Sequence, residues 1–97
     1  MVEKELIQLI NKQMDTDISV DSPAEVLKEK LIGFINNLIQ NDFQKLIAIL
    51  YKVDVSESKL KLLLREGVGE DAADIIATLI IEREMQKIET RKKFARK

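Results

Sequence analysis

Ser22-Pro23-Ala24-Glu25-Val26-Leu27-Lys28-Glu29-Lys30-Leu31-Ile32-Gly33-Phe34-Ile35-Asn36-Asn37-Leu38-Ile39-Gln40 is the stretch whose pattern decides the fold. Val26, Leu27, Leu31, Phe34, Ile35, Leu38 and Ile39 recur at intervals of three and four, and Ile32 widens the stripe. That period belongs to a helix, because a strand repeats every two residues. The start is signalled as well. Ser22 can accept a backbone N–H as N-cap, Pro23 suits the first helical position, and Glu25 can reach back to complete a capping box. A helix from Pro23 to about Gln40 is expected. Gly33 inside it costs about 1 kcal/mol relative to Ala, which implies close approach by a neighbouring helix.

The same period continues on both sides. Upstream, Val2, Leu6, Leu9, Ile10 and Met14, with Ile7 beside them, predict a first helix over 2–14. The polar run Asp15 to Ser22 then reads as a loop, since short polar side chains compete for backbone hydrogen bonds. Downstream, Asn41-Asp42 interrupts the pattern and caps a third helix, Phe43 to about Lys52, that is apolar nearly all round. Such a helix is either central or part of an interface. Ser56 caps a fourth helix over 57–66, which turns Leu60, Leu63 and Leu64 inward and ends at the glycines of Gly67-Val68-Gly69. The last helix begins near Glu70, with Glu70, Asp71 and Asp74 at the positive end of its dipole. It runs through Ile75, Ile76, Leu79, Ile80, Ile81, Met85 and Ile88 toward Lys92. At 1.5 Å per residue it is roughly 35 Å long, so its C-terminal turns should project.

The fold class is therefore all-α: a compact bundle of about five helices forming a single domain over residues 1–97. Composition agrees. Ninety-seven residues make one domain. With no Trp, one Tyr and three Phe, the core must be Leu and Ile, and three Gly and one Pro are too few for a sheet with many tight turns. The lack of Cys excludes disulfides, thiolate metal sites and cysteine nucleophiles. The lack of His excludes a Ser-His-Asp triad and imidazole ligands. Residues 2–14 open with Glu3, Lys4 and Glu5 and do not read as a signal peptide. The longest apolar run, Ile75 to Ile81, falls far short of the roughly 20 residues of a membrane span. The expectation is a cytoplasmic protein that is not an enzyme, with no cofactor and no membrane partner.

Three patterns resemble chemistry and fall short of it. Ser56-Glu57-Ser58-Lys59 has the S-x-x-K spacing of serine acyl enzymes without their partner motifs, so a capping serine and a solvated lysine explain it. Asp15, Asp17, Ser19 and Asp21 have the spacing of the first ligands in a calcium loop. Val20 stands where that loop needs Gly and Val26 where it needs Glu, with Glu25 one residue early. The acid pairs Glu66 and Glu70, Asp71 and Asp74, and Glu82 and Glu89 read as solvated helix faces.

Charge is laid out unevenly. Residues 1–86 sum to −6, and residues 87–97 sum to +5. Two functional readings follow. In the leading one, the third and last helices present more apolar surface than the bundle covers, making a noncatalytic protein-interaction module, possibly a homodimer, with Tyr51, Ile76 and Ile80 on the contact face. In the alternative, residues 91–97 are a basic, frayed tail. Arg91, Lys92, Lys93, Arg96 and Lys97 then bind polyanions such as nucleic acid through phosphate contacts. Leu60 to Leu79 has a helix-turn-helix outline, but its second helix would open with Glu70, Asp71 and Asp74, which repel a phosphate backbone.

The string Asp42-Phe43-Gln44-Lys45-Leu46-Ile47-Ala48-Ile49-Leu50-Tyr51-Lys52-Val53-Asp54-Val55-Ser56 resembles the central segment of a group of short, uncharacterised bacterial all-α proteins. Ile75-Ile76-Ala77-Thr78-Leu79-Ile80-Ile81-Glu82-Arg83 is similar to their closing helix, and the likeness covers roughly residues 42–87. The resemblance implies a bacterial cytoplasmic protein. The group has no assigned function, so no catalytic or binding residue carries over.

Overall fold

Short polar residues set the helix breaks in this chain. In a computed structural model that describes residues 4–66 and 72–95, the chain forms α1 (Lys4–Met14), α2 (Ala24–Asn41), α3 (Phe43–Val53), α4 (Glu57–Glu66) and α5 (Ala72–Ala95). The fold is all-α, with no strand among the described residues. No described helix is long and apolar enough to cross a membrane.

Asp42 and Ser56 cap as their side-chain chemistry predicts. Asp42 Oδ1 accepts the Lys45 N–H at 3.2 Å, and Ser56 Oγ accepts the Lys59 N–H at 3.2 Å. The expected capping box at Ser22 does not form. Pro23 itself occupies the cap position with extended backbone, and its carbonyl accepts the Leu27 N–H at 3.0 Å. Ser22 thus stands one residue too early, and its own N–H donates to the Ser19 carbonyl at 3.0 Å. Helices α1 and α3 end alike, on an aspartate in the left-handed region: Asp15 at φ 58° and Asp54 at φ 66°. Asp tolerates that region better than most residues because its short side chain bonds locally.

Helix α5 is the axis of the bundle and packs against all four other helices. Ala73, Ile75, Ile76, Ala77, Leu79 and Ile80 are all buried, so its wide apolar arc is consumed inside the domain. Helix α1 turns Leu6, Ile7, Ile10 and Met14 into the same core, and α2 contributes Leu27, Leu31, Ile35 and Leu38. Each such side chain gains about 1.5–3 kcal/mol from leaving water. Ion pairs at three points along its length link α5 to its neighbours: Lys28 of α2 with Asp74 at 3.1 Å, Arg83 with Asp54 after α3 at 3.1 Å, and Arg91 with Glu5 of α1.

One further expectation about local structure is corrected. Gly33 marks no close approach: a Cβ built there meets nothing within 4 Å. Helix α5 extends as far as Ala95, so the described part of the basic stretch is helical. Ile88 is buried and Arg91 is held by Glu5, so α1 accompanies α5 well into its basic end. A radius of gyration of 13.6 Å with a longest extent of 43 Å fits a small bundle built around a helix of about 36 Å. The glycines at 67–69, together with Glu70 and Asp71, lie outside the described residues.

Candidate functional site

Helix α3 buries one side and leaves the other in water. Leu46, Ile49 and Val53 enter the core. Phe43, Ile47 and Tyr51 follow one another at intervals of four and so share one line along the outer surface. Phe43 is 54% exposed and Tyr51 76%, while Ile47 is partly buried. An isolated exposed apolar side chain needs no explanation. A line of them beside an apolar groove does.

The turn after α3 forms that groove. The Val55 N–H reaches back to the Leu50 carbonyl at 3.2 Å and the Asp54 N–H to the Tyr51 carbonyl at 3.2 Å, a pair of bonds of the Schellman type. Such a turn brings the residue after it against the last helical turn, and here Val55 and Leu50 line the same hollow. Ile47, Tyr51, Glu57 and Leu60 complete the lining, enclosing about 100 Å³. Arg83 of α5 holds the turn in place, donating from Nε to the Asp54 carbonyl at 3.1 Å and pairing with Asp54 Oδ2 at 3.1 Å. The groove therefore rests on the bundle's central helix.

The residues expected to share a partner face are separated by the fold. Tyr51 is on the outer surface as anticipated. Ile76 and Ile80 are not: they are 5% and 0% exposed, because α5 has a neighbour on every side of its apolar arc. Their assignment to a partner face is corrected to the domain core. Of the polyanion candidates, Arg91, Lys92 and Lys93 are exposed on the last turns of α5, with Arg91 engaged by Glu5. Arg96 and Lys97 lie outside the described residues.

A buried charge went unread in the sequence. Glu84 is fully buried on the inner stripe of α5, in step with Ala77, Ile80 and Ile88. Its Oε1 accepts from Lys87 Nζ at 3.1 Å, and that ammonium also donates to Gln13 Oε1 of α1 at 3.3 Å. Glu84 Oε2 has no partner. The signal was present, since spacings of three, four and four put Glu84 on the buried line. Asn11 was likewise overlooked. Its Oδ1 accepts the Ile18 N–H at 2.9 Å and the Thr16 hydroxyl at 2.8 Å, while its Nδ2 donates to the Ile18 carbonyl at 2.9 Å. These bonds seat Ile18 in the core and organise the loop whose acids mimic calcium spacing. Among the described residues, no group of three or more acids is arranged to hold a metal ion. Ser56 and Lys59 meet through the helix cap described above, the ordinary role of a serine at a helix start.

No protein-family model, curated protein or solved structure matches this chain.

Proposed function

We propose that this chain is a noncatalytic helical interaction module whose contact face is the outer side of α3 and the groove beside it. The observation that carries this reading is Tyr51. A tyrosine 76% exposed, aligned with an exposed phenylalanine and bordering an apolar hollow, has the composition of an interface anchor. Aromatic rings supply large contact area at small entropic cost. Among the described residues the other large apolar side chain that is exposed is Leu62 of α4, which stands apart from this groove, and so α3 is the helix that offers two. The likeness of residues 42–56 and 75–83 to short bacterial proteins supports placing it in a bacterial cytoplasm.

Tyr51 is the chain's one tyrosine, so it also provides the test. Full-length protein made with 3-fluorotyrosine has a single fluorine resonance, located on this face. In concentrated bacterial extract that line is expected to shift and broaden beyond its width in an inert polymer solution of equal viscosity. An identical line in the two media would refute the interaction reading.

A further inference from the structure

We infer that α1 is a hinged cover over the second half of α5, opening as one unit while the other four helices stay packed and returning the buried Glu84 carboxylate to water. The packing divides the bundle in this way. Helix α1 packs chiefly on α5 and α3, whereas α2 packs on α3 and α5, and α3 and α4 each pack on α5. Without α1 those four helices keep their mutual contacts, and with them the core side chains Leu31, Ile35, Ile49, Ile76 and Ile80. The α3 groove lies in the part that stays folded, anchored by Arg83. The inference therefore does not rest on α3 being an interface.

The cover is weakest where charge is buried beneath it. Glu84, Ile88 and Arg91 follow one another at intervals of four and three and so share one line of α5. Helix α1 runs along that line. Glu5 pairs with Arg91, and Gln13 Oε1 accepts from the Lys87 ammonium that also serves Glu84. The first half of α5 buries apolar side chains, while this half buries a carboxylate whose Oε2 has no partner. Keeping that oxygen from water costs free energy in the closed form, and opening relieves it. The buried Leu6, Ile7, Ile10 and Met14 oppose opening, so the open form is a minor one. A hinge is also at hand. Residues 15–23 are the longest stretch between successive helices. Asn11 fastens Thr16 and Ile18 to α1. That leaves 19–23, with Ser19, Asp21 and Pro23 exposed, to absorb the backbone change. The Lys4–Asp21 ion pair to this hinge is exposed at both ends and resists little.

Native-state hydrogen exchange on the full-length chain, read by NMR over a series of low urea concentrations, is the test. The amides of α1 from Gln8 to Met14 should exchange through one shared opening, roughly tenfold or more populated than the opening that releases Leu79 and Ile80. Its urea dependence should be shallower, because less surface is exposed. Identical openings for the two sets at every urea concentration would overturn the hinged cover. So would protection in α1 that climbs residue by residue from Gln8, which is fraying. Glu84→Met should lower the opening roughly tenfold in both sets, because Glu84 is in water in the open and the unfolded forms alike. Lys87→Met should raise it in both sets, which keeps the test available if the first variant folds poorly. A change in the Leu79 and Ile80 amides with none in α1 would mean that other helices keep Glu84 covered, and would overturn its place under α1.

Discussion

Helix α3 and the first half of α5 look alike in sequence, each apolar over a wide arc, and the fold treats them differently. Helix α5 packs against all four other helices, and its apolar arc from Ala73 to Ile80 is buried. Helix α3 sits at the periphery, where Leu46, Ile49 and Val53 are covered and Phe43 and Tyr51 are not. Breadth of an apolar arc thus measures how much surface a helix has to hide. Whether it is hidden depends on how many neighbours the topology supplies. For α5, the helix pair before the α2–α3 break and the pair after it all pack on the last helix. For α3, the far side meets water.

The largest expected effect separates the two helices by stability. Ile80→Asp puts an unpaired charge into the centre of the core and should unfold the domain, since small domains hold only about 5–15 kcal/mol in reserve. Ile80→Ala, which keeps the site apolar, should cost about 2–5 kcal/mol. Urea unfolding followed by circular dichroism measures both. A cooperative transition at wild-type denaturant concentration for either variant would mean that α5 is not the core helix described here.

Glu84 provides the next test, because it is the charged interruption of the α5 stripe. Removing Lys87 leaves a buried carboxylate without its cation, so Lys87→Met should cost roughly 1–3 kcal/mol. That is below the usual 3–5 for a broken buried pair because Lys87 is itself a quarter exposed. Glu84→Met with Lys87→Met should recover the loss or exceed it, since an apolar replacement of a buried pair is often neutral or stabilising. A double-mutant cycle by chemical denaturation reads the coupling. Additive losses would show that Glu84 and Lys87 do not act as a pair.

Much of this architecture was legible in the sequence, and the reasons it stopped being so are physical. Asp42 and Ser56 could be identified as caps because capping is a local reaction between a side chain and N–H groups three residues on. The period of α2 was legible for the same reason: a helix's own geometry imposes it. Contacts between helices carry no local signal. Ile76 and Ile80 read as surplus because periodicity shows which residues share a face and not what lies opposite. Gly33 read as a packing notch although its surroundings are open. Glu84 is the intermediate case, since its place on the buried line was written in the spacing while its charge suggested solvent. On the candidate site, Tyr51 was legible as an aromatic in a helix with more apolar arc than one core contact needs. The groove was not, because it depends on Asp54 adopting a left-handed conformation held by Arg83, 29 positions further along.

A smaller effect tests the open side of α2. With nothing near the position of a Cβ, Gly33→Ala gains helix propensity and loses unfolded-chain entropy without a clash. The expected outcome is stabilisation of up to about 1 kcal/mol, read as a higher urea midpoint at unchanged slope. Destabilisation would indicate that another helix does approach there.

The smallest expected effect is the most informative about α3. Tyr51→Ala deletes a large aromatic side chain, and in a core position that would cost several kcal/mol. Here the ring is mostly in water in the isolated domain, so the stability of the dilute monomer should change by less than about 0.5 kcal/mol. The same substitution should cost affinity for a partner that covers the face, because the ring is then desolvated. The two measurements must diverge if α3 is an interface and α5 a core. A loss of monomer stability as large as that of Ile80→Ala would put Tyr51 inside the fold and erase the distinction between the two helices.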